Sequence, residues 1–216
     1  METVSLLALD LGTHTGWAYA PTPGMIMYGS WDLSPGRGGE GLRYQRMTSE
    51  LDRFWSQHEL RFPTKKLTPP LEVLYEQVHR HAGTRACHVY GGLLAHLQVW
   101  CLNHQIVATP VGVGQIKKFW TGRGNATKDD MVAEARARGF DPVDDNEADA
   151  LALLHRRIIE GPGGEKENSA GRHAYRLARS LKEIEGRSVA RRATRRLRAG
   201  DRDLPEGGGE HPEADR

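Results

Sequence analysis

The spacing of apolar and polar positions divides the chain into a series of short elements. Residues 4–10 (VSLLALD) form an apolar run that ends in an acid and meets the turn-forming LGT, the pattern of a buried strand. WAYAPTP and MIMYGSWDL predict two more strands around a Pro/Gly turn at 22–24, each too short for a stable helix. After the loop SPGRGGEG, Tyr44, Met47, Leu51, Phe54, Trp55 and His58 recur at helical spacing, with Arg46, Glu50 and Arg53 opposite them, which predicts an amphipathic helix. RFPTKKLTPP breaks it. LEVLY (71–75) predicts a strand leading into Glu76, and residues 86–104 a mostly apolar helix. IVATPVGVGQIKKFW starts as a strand, and Pro110 puts its end at an edge or a bend. WTGRGNA reads as a glycine loop. TKDD (127–130) has the form of a capping box, opening a helix that Gly139 ends. DPVDDNEADALALLHRRIIEG predicts the last helix, with Leu151, Leu154 and Ile158 on its apolar face. A run of strands followed by alternating strands and helices predicts an α/β fold: a mixed sheet of about five strands, the first three a meander, flanked by helices.

With 216 residues, the chain has room for one domain and a tail. Residues 1–160 carry the pattern just described. GPGGEKENSAG (161–171) reads as a linker. Residues 172–202 are basic, with Leu177, Leu181 and Ile184 at helical spacing, and 203–216 read as an acidic, disordered terminus. The overall charge of +2 conceals this segregation: 1–170 are net −2, 171–202 net +8 and 203–216 net −4. A basic block beside a near-neutral body suits either a polyanionic partner or a solvated tail. No apolar run reaches the ~18 residues of a membrane span. The first residues lack the basic flank of a signal peptide, so the expected location is the cytoplasm, without membrane partners. Cys87 and Cys101, 14 residues apart on one predicted helix, would stand about 21 Å apart, too far for a disulfide.

Two acids share a pattern. Asp10 and Glu76 each close an apolar strand and precede a polar turn, so strands running the same way would bring both to one edge of the sheet. Asp149 begins a helix between the small residues Ala148 and Ala150, which permit close packing. Converging carboxylates raise one another's pKa, and hard divalent cations with oxygen ligands relieve that repulsion. Two such ions can activate water and stabilise a leaving 3′ oxygen in phosphodiester hydrolysis.

Four segments in order, LLALDLGTHTGWA, LEVLYEQV, VGQIKKFWTGRGNATKDDMV and DNEADALALL, resemble the RuvC family of Holliday junction resolvases, and more narrowly its phage-type members, over roughly residues 4–160. The resemblance implies a ribonuclease H-like fold, a homodimer, and two Mg²⁺ or Mn²⁺ ions per active site. It also implies symmetric nicking of four-way DNA junctions in recombination and repair, in a bacterial host cell. By motif position Asp10 matches the first-strand carboxylate, Glu76 the central one and Asp149 the one on the last helix. Lys128 matches the lysine near the cut. The family's usual fourth ligand, Asp or His three residues before the last Asp, is Asn146 here. Three or four residues back both reach the face of Asp149 on a helix, so either Asp145 or Asn146 completes the set.

Arg80, His81 and Arg85 follow the Glu76 strand and are candidate DNA contacts, as are Lys117, Lys118 and Arg123, together with Lys128. Trp120 suits either the core or stacking on a base. The near-apolar circumference of 86–104, with Val89, Leu93, Leu97, Val99 and Trp100, suits either a dimer interface or the core. GRGNATK does not fit a P-loop, so no nucleotide cofactor is expected. The reading is a metal-dependent nuclease of four-way junctions. Its rivals are a noncatalytic junction-binding protein, a flap or branch nuclease of the same fold and, more remotely, a fragment of an actin-like sugar kinase, whose phosphate hairpin LALDLGTHTGWA also resembles.

Overall fold

The computed structural model describes residues 4–62, 64, 67–79 and 83–161. The expected linker and the basic and acidic segments therefore lie outside the described residues, except Gly161. So do Arg80 and His81.

Five strands form one sheet in the order β3-β2-β1-β4-β5. Strands β1 (Ser5–Asp10), β2 (His14–Ala20) and β3 (Met27–Asp32) make the expected antiparallel meander. Strands β4 (Leu71–Gln77) and β5 (Val107–Gly112) run parallel to β1. Pro110 lies on β5, an outer strand of the sheet, where its missing N–H removes no central ladder bond.

Helices α1 (Gly41–Leu60) and α2 (Thr84–His104) cover one face. Their core side chains meet those strand residues that alternate away from Asp10: Leu7 and Leu9 of β1, Tyr19 of β2, Val73 and Tyr75 of β4. On α1 the predicted stripe is the buried one, with Met47, Leu51, Phe54 and His58 inside. His58 enters as a neutral partner, its Nδ1 2.6 Å from the Tyr19 hydroxyl. On α2 the core takes Tyr90, Leu93, Leu97, Trp100 and Cys101, so most of the apolar circumference is internal. Val99 is left 58% exposed and Leu102 41%.

The other face carries α3 (Val113–Thr121), α4 (Lys128–Ala137) and α5 (Asp145–Glu160). Helix α3 departs from the sequence expectation. The β-branched run before it extends straight into the helix, with Gly112 as both strand end and N-cap, and only Ile116 and Trp120 mark its buried side. Trp120 belongs to the core: it is 1% exposed, and its indole N–H donates to the Met131 carbonyl at 3.1 Å. The capping box forms as read, Thr127 Oγ1 accepting from the Asp130 N–H and Asp130 Oδ2 from the Thr127 N–H. Leu151 and Leu154 are buried, whereas Ile158 is 45% exposed because the helix there runs past the edge of its packing partners.

Helix α5 lies across β1 and β2 at very short range. A Cβ added at Gly16 of β2 would stand 2.0 Å from the Asn146 carbonyl oxygen, and Gly16 is the cross-strand neighbour of Asp10. Ala148 and Ala150 are fully buried beneath the same contact. Gly16→Ala should therefore force the first turn of α5 off the sheet. The expected loss is about 1–3 kcal/mol, a fall of roughly 3–10 °C in melting temperature. An unchanged melting temperature in a calorimetric scan would mean that α5 does not rest on this glycine.

Candidate active site

Strand direction builds the site. Because β1 and β4 are parallel, with Leu9 opposite Tyr75, the next residue on each, Asp10 and Glu76, emerges at the carboxyl edge on the α5 side. Tyr90 of α2 fixes the exit of β4 from the other face. Its hydroxyl donates to the Glu76 carbonyl at 2.8 Å and accepts from the Val78 N–H at 3.3 Å.

The third acid is aimed by the cap of α5. Asp144 Oδ1 accepts from the Glu147 N–H at 3.0 Å, and the buried Glu147 reaches back with Oε2 to accept from the Val143 N–H at 2.9 Å. These bonds satisfy amides at the helix start and set its rotation. Asp145 and Asp149, one turn apart, then share the face turned to the sheet edge. Asn146 does not share their role: its side-chain N–H donates to Asp144 Oδ2 at 3.1 Å.

These acids feel one another. Burial pushes the Asp10 carboxyl well above its usual range, and the charges of Glu76, Asp149 and Asp145 add to the rise. Glu76 is also raised, by burial, and a hydrogen bond with Asp10 and the Lys117 ammonium oppose that rise. Asp149 is pushed up to about 7, by burial first and then by Glu76, with Lys117, Asp145 and Lys128 as further neighbours. Asp145 pairs with the Lys128 ammonium, which it holds above the usual lysine range. Among the described residues, no three His, Cys, Asp or Glu side chains are grouped so as to hold a metal ion. Asp10 is engaged with Glu76, and Asp145 with Lys128. The donor set nevertheless suits a hard divalent cation, since it is carboxylate oxygen whose repulsion a cation would cancel.

The basic candidates divide. Lys117 is half-buried beside Glu76 and Asp149, its ammonium donating to the Ala126 carbonyl at 2.8 Å. Lys118 is exposed, and Arg123 pairs with Asp130 at 3.0 Å. Arg85 reaches Glu40 at 3.1 Å. His14, the first residue of β2, lies 3.6 Å from Asp32. Sequence reasoning missed Arg43, which is 3% exposed and donates to Thr13 Oγ1 at 2.8 Å and to Glu40 Oε2 at 3.3 Å. The signal available was an arginine on the buried side of a predicted helix, one residue before Tyr44.

No protein-family model and no curated protein matches the sequence. Solved structures do. Thermus thermophilus RuvC in complex with a Holliday junction substrate aligns with a TM-score of 0.57 at 18% identity, over 74% of this chain and 96% of that one. A second T. thermophilus RuvC structure aligns with a TM-score of 0.54 at 20% identity, with the same coverage. The chain thus has the ribonuclease H-like fold of RuvC, and the fold implied by its four motifs is the observed one.

The raised Asp149 carboxyl makes a signed prediction. A carboxyl whose folded pKa is raised stabilises the fold at low pH, and that contribution is lost as pH climbs from about 4 through about 7. At pH 8 in EDTA the ionised group therefore costs stability, on the order of 4 kcal/mol at about 1.4 kcal/mol per pKa unit. Asp149→Asn should melt higher than the parent at pH 8, with the advantage vanishing near pH 4. A lower melting temperature at pH 8 would contradict this electrostatic account.

Proposed function

We propose that this protein is a divalent-metal-dependent, structure-specific endodeoxyribonuclease that acts on branched DNA, with the four-way junction as substrate, and works as a homodimer. One observation carries the reading: carboxyl groups from β1, β4 and α5 crowd the carboxyl edge of a RuvC-like sheet, with Lys117 and Lys128 beside them. The structural neighbour seen with a Holliday junction supports the substrate class.

Asp10, Glu76 and Asp149 would hold two Mg²⁺ or Mn²⁺ ions, which supply a water of lowered pKa and offset charge on the phosphodiester. Asp145 is the better fourth oxygen donor, since it faces Lys128 and the acids while the Asn146 amide is turned to Asp144. Lys128, exposed at the first turn of α4, offsets charge on the scissile phosphate once Asp145 turns from it. Lys117 is fixed by the Ala126 carbonyl and keeps the acids from repelling one another apart. Lys118 and Arg123 on the outer side of α3 and its following loop, and Arg85 across the edge, are backbone contacts that position rather than specify. A two-fold dimer would present two such sites to the two symmetry-related strands of a junction, and exposed Val99 and Leu102 of α2 suit its interface.

The direct test is cleavage of an immobile four-way junction, against linear duplex and a flap, in Mg²⁺, Mn²⁺ or EDTA. The expected outcome is paired symmetric nicks on the junction, dependent on metal and abolished in Asp10→Asn with binding retained. Binding without nicks under every metal condition would leave a junction-binding protein. Equal cutting of flap and junction would leave a general branch nuclease. A second measurement separates the fourth ligands. Mn²⁺ affinity by calorimetry should fall roughly tenfold in Asp145→Ala, comparable to losing one charged oxygen contact, and much less in Asn146→Ala. The reverse order would hand the role to Asn146.

A further inference from the structure

A cleft of about 670 Å³ opens beside the acids, on the α1–α2 side of the same sheet edge. Its wall begins at Leu11, the residue after Asp10, and includes Val78, two residues after Glu76. At roughly 3.3 Å per strand residue, it starts about one nucleotide's span from the carboxylates.

Two guanidinium groups define the cleft. Arg43, on the first turn of α1, is almost wholly buried, and Arg85, on the first turn of α2, is exposed. One carboxylate, that of Glu40, joins them: Oε2 lies 3.3 Å from Arg43 Nε, and Oε1 lies 3.1 Å from Arg85 Nη2. Arg43 Nη1 also donates to Thr13 Oγ1 at 2.8 Å. A buried cation ordinarily needs a full set of acceptors. Here two cations share one carboxylate that is itself half exposed, so this group of three keeps a net charge of +1 beside the strand ends that carry Asp10 and Glu76.

We propose that this cleft is a second phosphate-binding site, in which Arg43 and Arg85, with the Thr13 hydroxyl, hold a backbone phosphate of the strand being cut, one or two nucleotides from the scissile position. The DNA part of this inference rests on the nuclease reading above. Glu40 stands in for that phosphate, presenting one oxygen to each guanidinium as a phosphodiester's two free oxygens do. A strand crossing the sheet edge then runs from Lys128 on the α4 side to Arg43 and Arg85 on the α1–α2 side, with the acids between two cationic anchors. The site also explains why a carboxylate that satisfies Arg43 reaches out to Arg85, 45 residues away in the chain.

The test uses the full chain in EDTA, with junction binding followed by fluorescence anisotropy between 50 and 300 mM KCl. Arg85→Ala should weaken binding roughly tenfold and reduce the slope of log affinity against log salt by about 1, and Arg43→Lys should weaken binding roughly tenfold with the slope kept. Arg43→Lys keeps the buried charge, so it retains the fold while losing the planar fork. Glu40→Gln should tighten binding severalfold, well beyond Glu59→Gln, the same charge change at the far end of α1. A parent-like salt slope in Arg85→Ala, a parent-like affinity in Arg43→Lys, or a Glu40→Gln chain that merely matches Glu59→Gln would each overturn the proposal. A parent chain that binds no junction overturns the nuclease reading instead, and a pyrophosphate titration then decides the cleft. A pyrophosphate-induced rise in melting temperature that is larger in Glu40→Gln and absent in Arg43→Lys upholds a phosphate site. An equal rise in all three overturns it.

Discussion

The parallel pairing of β1 with β4 is the constraint from which the site follows. Two strands that run the same way must end at the same edge, and each here ends in an acid. The crossover that parallel pairing requires is α1, and its core stripe covers the sheet face away from those acids. The face toward them is left to α5. That helix can bring a third acid within range only because Gly16 offers no side chain and Ala148 and Ala150 offer little. Backbone proximity at Gly16 and charge proximity at Asp10 are therefore one contact, since the two residues are partners across the ladder.

Crowded carboxylates oppose folding, and the surrounding chain is organised to tolerate them. Burial and the neighbouring acids raise the Asp10 carboxyl, which is hydrogen-bonded to Glu76. Lys117 and Lys128 supply positive charge from two helices that contribute little core of their own. The cap formed by Asp144 and Glu147 holds the start of α5 against the sheet despite the repulsion at Asp149. Raised carboxyl pKa values of this kind, produced by burial and by neighbouring acids, are common at functional sites.

The two faces of the sheet divide the work. On the α3–α5 face lie the acids and the lysines. On the α1–α2 face lie the larger apolar core, the Tyr90 bond that secures the end of β4, and the two arginines bridged by Glu40. Side chains of both faces come together along the edge between them, the kind of edge at which open sheets bind ligands.

Much of this was legible along the chain. Apolar runs closed by acids gave β1 and β4 and singled out Asp10 and Glu76. Period 3.6 gave α1 and α5, a long apolar run gave α2, TKDD gave the cap of α4, and Pro110 pointed to an edge or a bend. All are local signals, because backbone geometry ties periodicity and turn chemistry to a few neighbouring residues. Helix α3 was hidden because its β-branched start prolongs a strand pattern and only two of its residues face inward. Helical angles placed both Asp145 and Asn146 on the face of Asp149. The choice between their orientations fell to Lys128, 17 residues before Asp145, and to the N-cap Asp144. The inward placement of Lys117, the contact at Gly16 and the Arg43–Glu40–Arg85 bridge also had no local signature. Each joins residues between 3 and 130 positions apart, whose meeting is set by how helices pack on the sheet. The sequence by itself determined which elements form and which acids end them; tertiary structure decided which charges face one another, because that depends on packing distances that no local pattern encodes.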